Sequence, residues 1–432
     1  MRKNKIDFIT LGCSKNLVDS ERLMQQCLAN GFTVRHDPAE TSGDIVVINT
    51  CGFIDSAKEE SVNMILQFAE AKKRKKIRKL FVMGCLSERY MGELQTLIPE
   101  VDKFYGKFNW KQLLADLGKP FREDLSAERF LTTPAHYAYV KIAEGCDRHC
   151  AYCSIPLMTG KYASRSIEDI EAEVRSLTSR GVKEFQLIAQ DLTYYGKDIY
   201  SKFDLARLVS RLSDIQGVEW LRLHYAYPRQ FPLDLLKVMR ERKNVCKYLD
   251  IALQHSSDAV LKRMRRQITR AEMSELLQKI REEVPGIHLR TTMLVGFPGE
   301  TVEEFSDLID FVRTMRFERL GAFPYSAEEG TFAYSHYADD VPAEIKDRRL
   351  EELMSVQEKI AFEINEEKVG KTLKTIIDSE EADYYTGRTE YDSPEVDPEV
   401  LISKTEKLNI GGFYEVKITG TQDFDLLGTT SF

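Results

Sequence analysis

The 432-residue sequence contains no apolar run approaching the ~20 residues that a membrane-spanning helix needs, so no membrane role is expected. Its start, Met1 to Asp7, carries basic residues but lacks the apolar stretch and small-residue cleavage site of a signal peptide, and a cytoplasmic location is expected. Cysteine is scarce, at eight residues, and in a reducing compartment spaced cysteines are metal ligands or catalytic groups more often than disulfides. An overall excess of positive charge is also missing, since 61 Lys and Arg stand against 69 Asp and Glu, a net charge of −8. Residues 366–432 alone hold 15 Asp and Glu against 7 Lys and Arg, so this C-terminal region carries the whole imbalance. Length excludes a single core and points to about three domains.

Six of the eight cysteines fall into two sets of three. Cys146, Cys150 and Cys153 form a tight CxxxCxxC, whereas Cys13, Cys51 and Cys85 are spread along the N-terminal part of the chain. A cubane iron–sulfur cluster normally takes four thiolates, so three leave one iron free to bind a reactant. A zinc site would call for a compact fourth Cys or His, and the only close candidate, His149, lies inside the loop. Cys27 and Cys246 match neither set and are assigned to packing.

Residues 6–98 alternate short apolar strands (Ile6–Leu11, Ile45–Ile48, Leu80–Met83) with helices from about Leu17 and Ser56, a pattern that implies a parallel sheet. Each N-terminal cysteine follows a strand, and one strand–helix unit separates each from the next. Neighbouring carboxyl ends of such a sheet converge beside helix N-termini, which favour anions. After a linker around Gly118–Pro134, six candidate strands (Ala138–Ala143, Glu184–Ala189, Glu219–His224, Tyr248–Ala252, His288–Val295, Arg319–Tyr325) alternate with helices, as in a partial α/β barrel, whose catalytic groups sit at strand C-termini. The CxxxCxxC follows the first of these strands. From Thr372 onward, short alternating segments (Lys374–Ile377, Glu399–Ile402, Tyr414–Ile418) read as a small antiparallel barrel of about five strands for recognition.

The CxxxCxxC spacing resembles the signature of the radical S-adenosylmethionine (AdoMet) superfamily. That resemblance implies a 4Fe-4S cluster on Cys146, Cys150 and Cys153 whose open iron chelates AdoMet, cleaved on reduction to a 5'-deoxyadenosyl radical. Tyr152 occupies the aromatic position between the last two cysteines. Gln190-Asp191 and Gly296-Phe297-Pro298-Gly299, at expected strand ends, make Tyr152, Gln190, Asp191, Gly296 and Gly299 candidate AdoMet contacts, with tight-turn glycines as the plainer reading of the last two. His224 and His255 also fall at strand ends, where interior hydrogen-bonded histidines are the plainer reading.

Thr10-Leu11-Gly12-Cys13-Ser14-Lys15-Asn16, Asn49-Thr50-Cys51-Gly52-Phe53 and Gly84-Cys85 resemble the N-terminal domain of the radical AdoMet methylthiotransferase family, and the likeness covers nearly the full length. It implies an N-terminal α/β domain over 1–120 with an auxiliary 4Fe-4S cluster on Cys13, Cys51 and Cys85, a radical AdoMet core of (βα)6 type over 132–362, and a TRAM substrate-recognition barrel over 364–432. One departure is Met158-Thr159-Gly160-Lys161, where the family leads one to expect an arginine before the glycine. The implied reaction uses one AdoMet to methylate a sulfur on the auxiliary cluster and another to abstract hydrogen from an unactivated carbon, which then receives the methylthio group.

Two branches of the family compete as models: enzymes that modify tRNA adenosine, and the one that modifies the β-carbon of an aspartate of ribosomal protein S-12. A tRNA-binding module should be basic, because phosphate neutralisation dominates such affinity, and the acidic C-terminal region fits a basic protein instead. Lys15-Asn16-Leu17-Val18-Asp19-Ser20-Glu21, Arg319-Leu320-Gly321-Ala322-Phe323 and Gly387–Asp397 resemble the S-12 branch, which ranks first, the substrate being met free or on the ribosomal particle. The basic run Lys72–Lys76 could touch RNA, but reads more simply as a solvated helix end. An electron donor such as flavodoxin or ferredoxin and a sulfur source are further expected partners. A non-catalytic iron–sulfur scaffold or electron carrier is the alternative from another class.

Overall fold

The computed structural model describes residues 4–40 and 43–430, so Met1–Lys3 of the basic start lie outside the described residues. Strands β1 (Lys5–Thr10), β2 (Thr33–His36), β3 (Ile45–Thr50), β4 (Lys79–Gly84) and β5 (Lys103–Phe104) form one parallel sheet in the order β2-β1-β3-β4-β5. Apolar residues along β3 alternate between its two faces. Val46 and Ile48 pack with Ile65 and Phe68 of α2 (Asp55–Lys73), and Ile45 and Val47 pack with Leu23 and Met24 of α1 (Ser14–Ala29). Helix α3 (Cys85–Leu97) joins α2 on its face. The chain leaves β1 for the outer β2 and then crosses back to β3, so the winding direction reverses between β1 and β3. In open α/β sheets the crevice at this reversal is where ligands bind. The expected single strand–helix unit holds between Cys51 and Cys85. Between Cys13 and Cys51 the edge strand β2 intervenes, too short and polar (TVRH) to stand out in the sequence.

The central sheet comprises β6 (Tyr137–Lys141), β9 (Glu184–Ile188), β10 (Trp220–Ala226), β11 (Val245–Ile251), β12 (His288–Val295) and β13 (Arg319–Pro324), with a short antiparallel pair, β7 (Ala143–Glu144) and β8 (Ala163–Ser164), beside the first strand. Its six strands run parallel in the order β13-β12-β11-β10-β9-β6, the expected partial barrel. Leu187, Leu221, Leu249 and Leu289 from successive strands share one core with Val174, Leu208, Leu277 and Leu308 from the surrounding helices. A helix over Ala343–Glu366 runs through the expected junction at 362–364.

Strands β14 (Thr372–Glu380), β15 (Tyr384–Thr389), β16 (Val400–Ser403), β17 (Phe413–Gln422) and β18 (Asp425–Thr430) close a five-stranded barrel. Closure departs from an all-antiparallel design at one seam, since β16 and β18 pair in parallel. The loop between β15 and β16 carries Asp392, Glu395 and Asp397 against side chains of the central strands. Arg319 reaches Asp392 at 2.6 Å, Tyr248 donates to Asp397 at 2.8 Å, and Tyr137 and Tyr139 each donate to Glu395 at 3.0 Å. Arg388 bridges Glu184 at 2.7 Å and Asp378 at 2.6 Å, with all three largely buried. Arg319 and Lys368 hold the Asp392 carboxyl well below the usual range against the cost of burial. The segment Gly387–Asp397 is therefore a packed plug, and part of the acidic excess neutralises arginines of the central sheet.

Candidate functional site

All three N-terminal cysteines lie at the C-terminal edge of the first sheet. Cys13 is the N-cap of α1, Cys51 follows β3, and Cys85 opens α3. Close approach joins the loops. A Cβ on Gly12, whose φ is +93°, would lie 2.7 Å from the Cys51 Cβ, and one on Gly52 would lie 2.8 Å from the Leu86 backbone. Side-chain amides complete the assembly: Asn16 Nδ2 donates to the Leu11 and Thr50 carbonyls at 3.0 and 3.1 Å, and Asn49 Nδ2 donates to the Asn16 carbonyl at 2.9 Å. Ser61 Oγ accepts from the Cys51 N–H and donates to its carbonyl.

The thiols of this set differ. Cys13 is exposed and Cys51 and Cys85 are buried. Crowded surroundings desolvate Cys13, but Lys15, the backbone N–H of Asn16 and Lys107 together hold its thiol below the ordinary value, as expected at a helix N-terminus. Burial pushes Cys51 up and Cys85 up to about 12. Lys107 Nζ lies 3.8 Å from Cys85 Sγ.

The second set sits in one loop after β6 and β7. The β7–β8 pair and a hydrogen bond from Cys146 N to the Gly160 carbonyl (3.2 Å) fix the start of that loop. Backbone N–H of Arg148 points at Cys146 Sγ (3.4 Å), and Arg266 Nη1 donates to Cys150 Sγ and to Tyr152 Oη, both at 3.4 Å. Tyr227 Oη lies 3.9 Å from Cys150 Sγ, and its ring is flanked by Arg148 at 4.3 Å and Arg266 at 4.1 Å. Burial pushes Cys146 up to about 12 and Cys153 further up. His149 is exposed.

The remaining candidates behave differently from one another. Tyr152 meets Phe297 edge-on at 6.5 Å. Gln190 donates through Nε2 to Glu144, while its buried Oε1 has no partner, an acceptor open to a ligand N–H. Asp191 is occupied: it accepts from Arg148 Nε at 2.8 Å, from Thr193 N at 2.9 Å and from Thr193 Oγ1 at 2.5 Å. Gly296 and Gly299 form the turn after β12, with their N–H groups given to Glu300 at 2.6 Å and Asp340 at 2.7 Å, so they shape the turn without offering donors. His224 is an interior histidine bonded to Gln186 Oε1 at 2.8 Å, and His255 is fully buried with its Nε2 3.8 Å from Glu300 and without a hydrogen bond. Cys27 and Cys246 are packed in separate apolar clusters, with burial pushing each thiol up to about 12.

The two sets adjoin. Ser154 Oγ, next to Cys153, donates to the Phe53 carbonyl at 3.5 Å, and Lys107 stands between Cys85 and Glu144, 3.4 Å from the latter. Asp19 and Lys141 continue this charged bridge, Lys141 lying 2.6 Å from Glu144. Sequence reasoning missed Arg266 and Lys107, because nothing local marks a charge that meets a cysteine far along the chain, and Glu144, whose partners Lys107 and Gln190 come from other segments. Among the described residues no group of three His, Cys, Asp or Glu side chains closes on a point as a single metal ion would require. Within each set, however, two thiols raise the pKa of the third: Cys13 and Cys51 act on Cys85, and Cys150 and Cys146 act on Cys153. Three thiols held near one another, with N–H and cationic donors around them, suit a polynuclear cluster.

Comparison with known proteins agrees with this architecture. Residues 140–312 match the Radical SAM superfamily, residues 5–106 the Uncharacterized protein family UPF0004, and residues 369–430 the TRAM domain. A ribosomal protein uS12 methylthiotransferase RimO of Parabacteroides distasonis is 63% identical over 428 residues, covering 99% of each chain. The chain belongs to the uS12 methylthiotransferase family. Another uS12 methylthiotransferase, from Cytophaga hutchinsonii, is 50% identical and covers 99% of this chain and 98% of its own. Among solved structures, the radical S-adenosylmethionine methyltransferase TsrM from Kitasatospora setae aligns with a TM-score of 0.56 at 14% identity, covering 88% of this chain and 79% of that one, a likeness of fold alone. The radical SAM match implies a 4Fe-4S cluster and AdoMet in this uS12 methylthiotransferase family member. No helix among the described residues is long and apolar enough to cross a membrane.

Proposed function

We propose that this chain transfers a methylthio group to the β-carbon of an aspartate of ribosomal protein uS12 (S-12). The observation that carries the proposal is the adjacency of two three-cysteine sets at adjoining strand-end edges of two domains. In this reading residues 1–120 hold an auxiliary 4Fe-4S cluster through Cys13, Cys51 and Cys85, residues 132–362 hold the radical AdoMet cluster through Cys146, Cys150 and Cys153, and residues 364–432 form the TRAM module. When bound, these groups supply the one-electron cleavage chemistry that reaches an unactivated C–H bond and the sulfur to be transferred.

The chain's own part is to hold, orient and exclude water. Arg266, Tyr227 and the Arg148 N–H place donors around the barrel thiolates and so offset their negative charge. Gln190 would offer its unpartnered Oε1 to the AdoMet ammonium, and Tyr152, packed edge-on against Phe297, would supply an aromatic wall. Gly296 and Gly299 would shape the pocket edge, and Asp191 would act through Arg148. Lys107 places fixed charge at the boundary between the two sets, against Cys85 on one side and Glu144 on the other.

An electron donor of the flavodoxin or ferredoxin class and a sulfur source complete the requirements. The acidic plug weakens surface charge as an argument for a basic substrate, and kinship to uS12 methylthiotransferases supports the choice instead. Mass spectrometry of uS12 and of tRNA after incubation with reconstituted enzyme tests the reading. A methylthio increment on a uS12 aspartate is expected, and modified tRNA beside unmodified uS12 would overturn it.

A further inference from the structure

Nearly every cation around the two cysteine sets already has an anionic or thiol partner. Arg148 pairs with Asp191 at 2.8 Å, Lys141 with Glu144 at 2.6 Å, Lys107 lies 3.4 Å from Glu144, and Arg266 meets Cys150 at 3.4 Å. Lys15 is different. It stands in the first turn of α1, two positions after Cys13, is only 8% exposed, and has its Nζ 3.4 Å from the centre of the Tyr225 ring. Asp250 feels its charge, yet among the described residues no carboxylate forms an ion pair with it.

The platform beneath Lys15 is itself unusual. Tyr225 lies near the C-terminal end of β10 with φ of 65°, a left-handed conformation that a bulky residue adopts only where its surroundings hold it. Its N–H donates to Asp250 Oδ2 at 3.3 Å, which fixes the strained peptide. A strand end of one domain thus presents an aromatic face to an ammonium from the other, at the boundary that contains both cysteine sets.

We propose that Lys15 binds the side-chain carboxylate of the aspartate to be modified, an inference that rests on the uS12 reading above. An ammonium lying on an aromatic face is partly stripped of water, so a carboxylate reaching its free side forms a short charge-assisted hydrogen bond. The β-carbon is bonded directly to that carboxylate carbon, so a single anchor holds the reacting carbon one bond from the bound group. Asparagine in the same place offers a neutral carbonyl, and the site separates the two side chains by charge.

Two uS12 peptides, one with the target aspartate and one with asparagine there, test the anchor on the unaltered chain and on Lys15→Gln and Lys15→Arg. Binding of the cluster-free proteins is read by calorimetry, and methylthio transfer by the reconstituted proteins. The unaltered chain should bind the aspartate peptide about tenfold more tightly than the asparagine peptide. Lys15→Gln should bind both alike and lose transfer while still cleaving AdoMet, and Lys15→Arg should restore part of the preference. If Lys15→Gln keeps the preference, or weakens both peptides equally, Lys15 acts on Cys13 or on the fold and the anchor is overturned. An unaltered enzyme that prefers neither peptide yet modifies uS12 also overturns it. No modification of uS12 by the unaltered enzyme would strike the substrate reading itself, and the anchor with it.

Discussion

Cys13, Cys51 and Cys85 come from three loops brought together by a sheet, whereas Cys146, Cys150 and Cys153 come from one loop braced by a two-stranded clip. Contacts to backbone hold the first set: glycines allow the loops to touch, and the side chains of Asn16, Asn49 and Ser61 bond to main-chain groups of the loops. Side chains hold the second, with Arg266 and Tyr227 reaching Cys150 from elsewhere in the chain and Arg148, of the cysteine loop itself, packing on the Tyr227 ring. The difference teaches that a dispersed set depends on the domain fold, while a compact set depends on its surroundings.

The sharpest way to break the comparison is to remove one barrel thiol. Cys150→Ala should abolish both AdoMet cleavage and methylthio transfer, and 5'-deoxyadenosine measured by chromatography at the unaltered level would refute the assignment. Next comes the glycine at the dispersed set. Gly12→Ala places a Cβ against Cys51 at a φ that favours glycine, so iron per reconstituted chain should fall by about half while AdoMet cleavage persists. Unchanged iron content would show that the close approach can relax.

Two smaller effects separate support of the site from support of the fold. Arg388→Met leaves Glu184 and Asp378 without their shared partner in a buried place and should cost about 3–5 kcal/mol in denaturant unfolding, with both cysteine sets affected alike. Glu300 braces the turn at Gly296, and burial, outweighing Arg349 and the turn N–H groups, pushes its carboxyl up to about 7 from 4.5. The folded chain therefore keeps a proton that the unfolded chain releases, and stability falls as pH rises from 4.5 to about 7, by at most about 3 kcal/mol. Glu300→Gln should flatten that slope, and an unchanged slope would place its cause elsewhere.

Much of this was legible in the sequence where a residue carries its own signal. Strand β12 occupies the expected His288–Val295, and every cysteine of the two sets follows a strand as its position implied. Strands β15 (YYTGRT) and β18 (DLLGTT) escaped because glycine and polar residues hide their alternation, as did the parallel seam that closes the small barrel. Charge misled for a related reason: composition counts Asp392 and Asp397 as acidic surface, while Arg319 and Arg290, far away in sequence, neutralise them inside. Lys15 was visible only as part of a family likeness, since its meaning depends on Tyr225 from another domain.

The division of labour between the two sets is tested most directly by Cys51→Ala. After anaerobic reconstitution with iron, sulfide, AdoMet, a reductant and uS12, 5'-deoxyadenosine and the mass of uS12 are measured in the same reaction. The account predicts that 5'-deoxyadenosine still forms and that the methylthio increment on uS12 disappears. Full methylthio transfer by Cys51→Ala, or loss of AdoMet cleavage in a folded variant that keeps the barrel cluster, would contradict it.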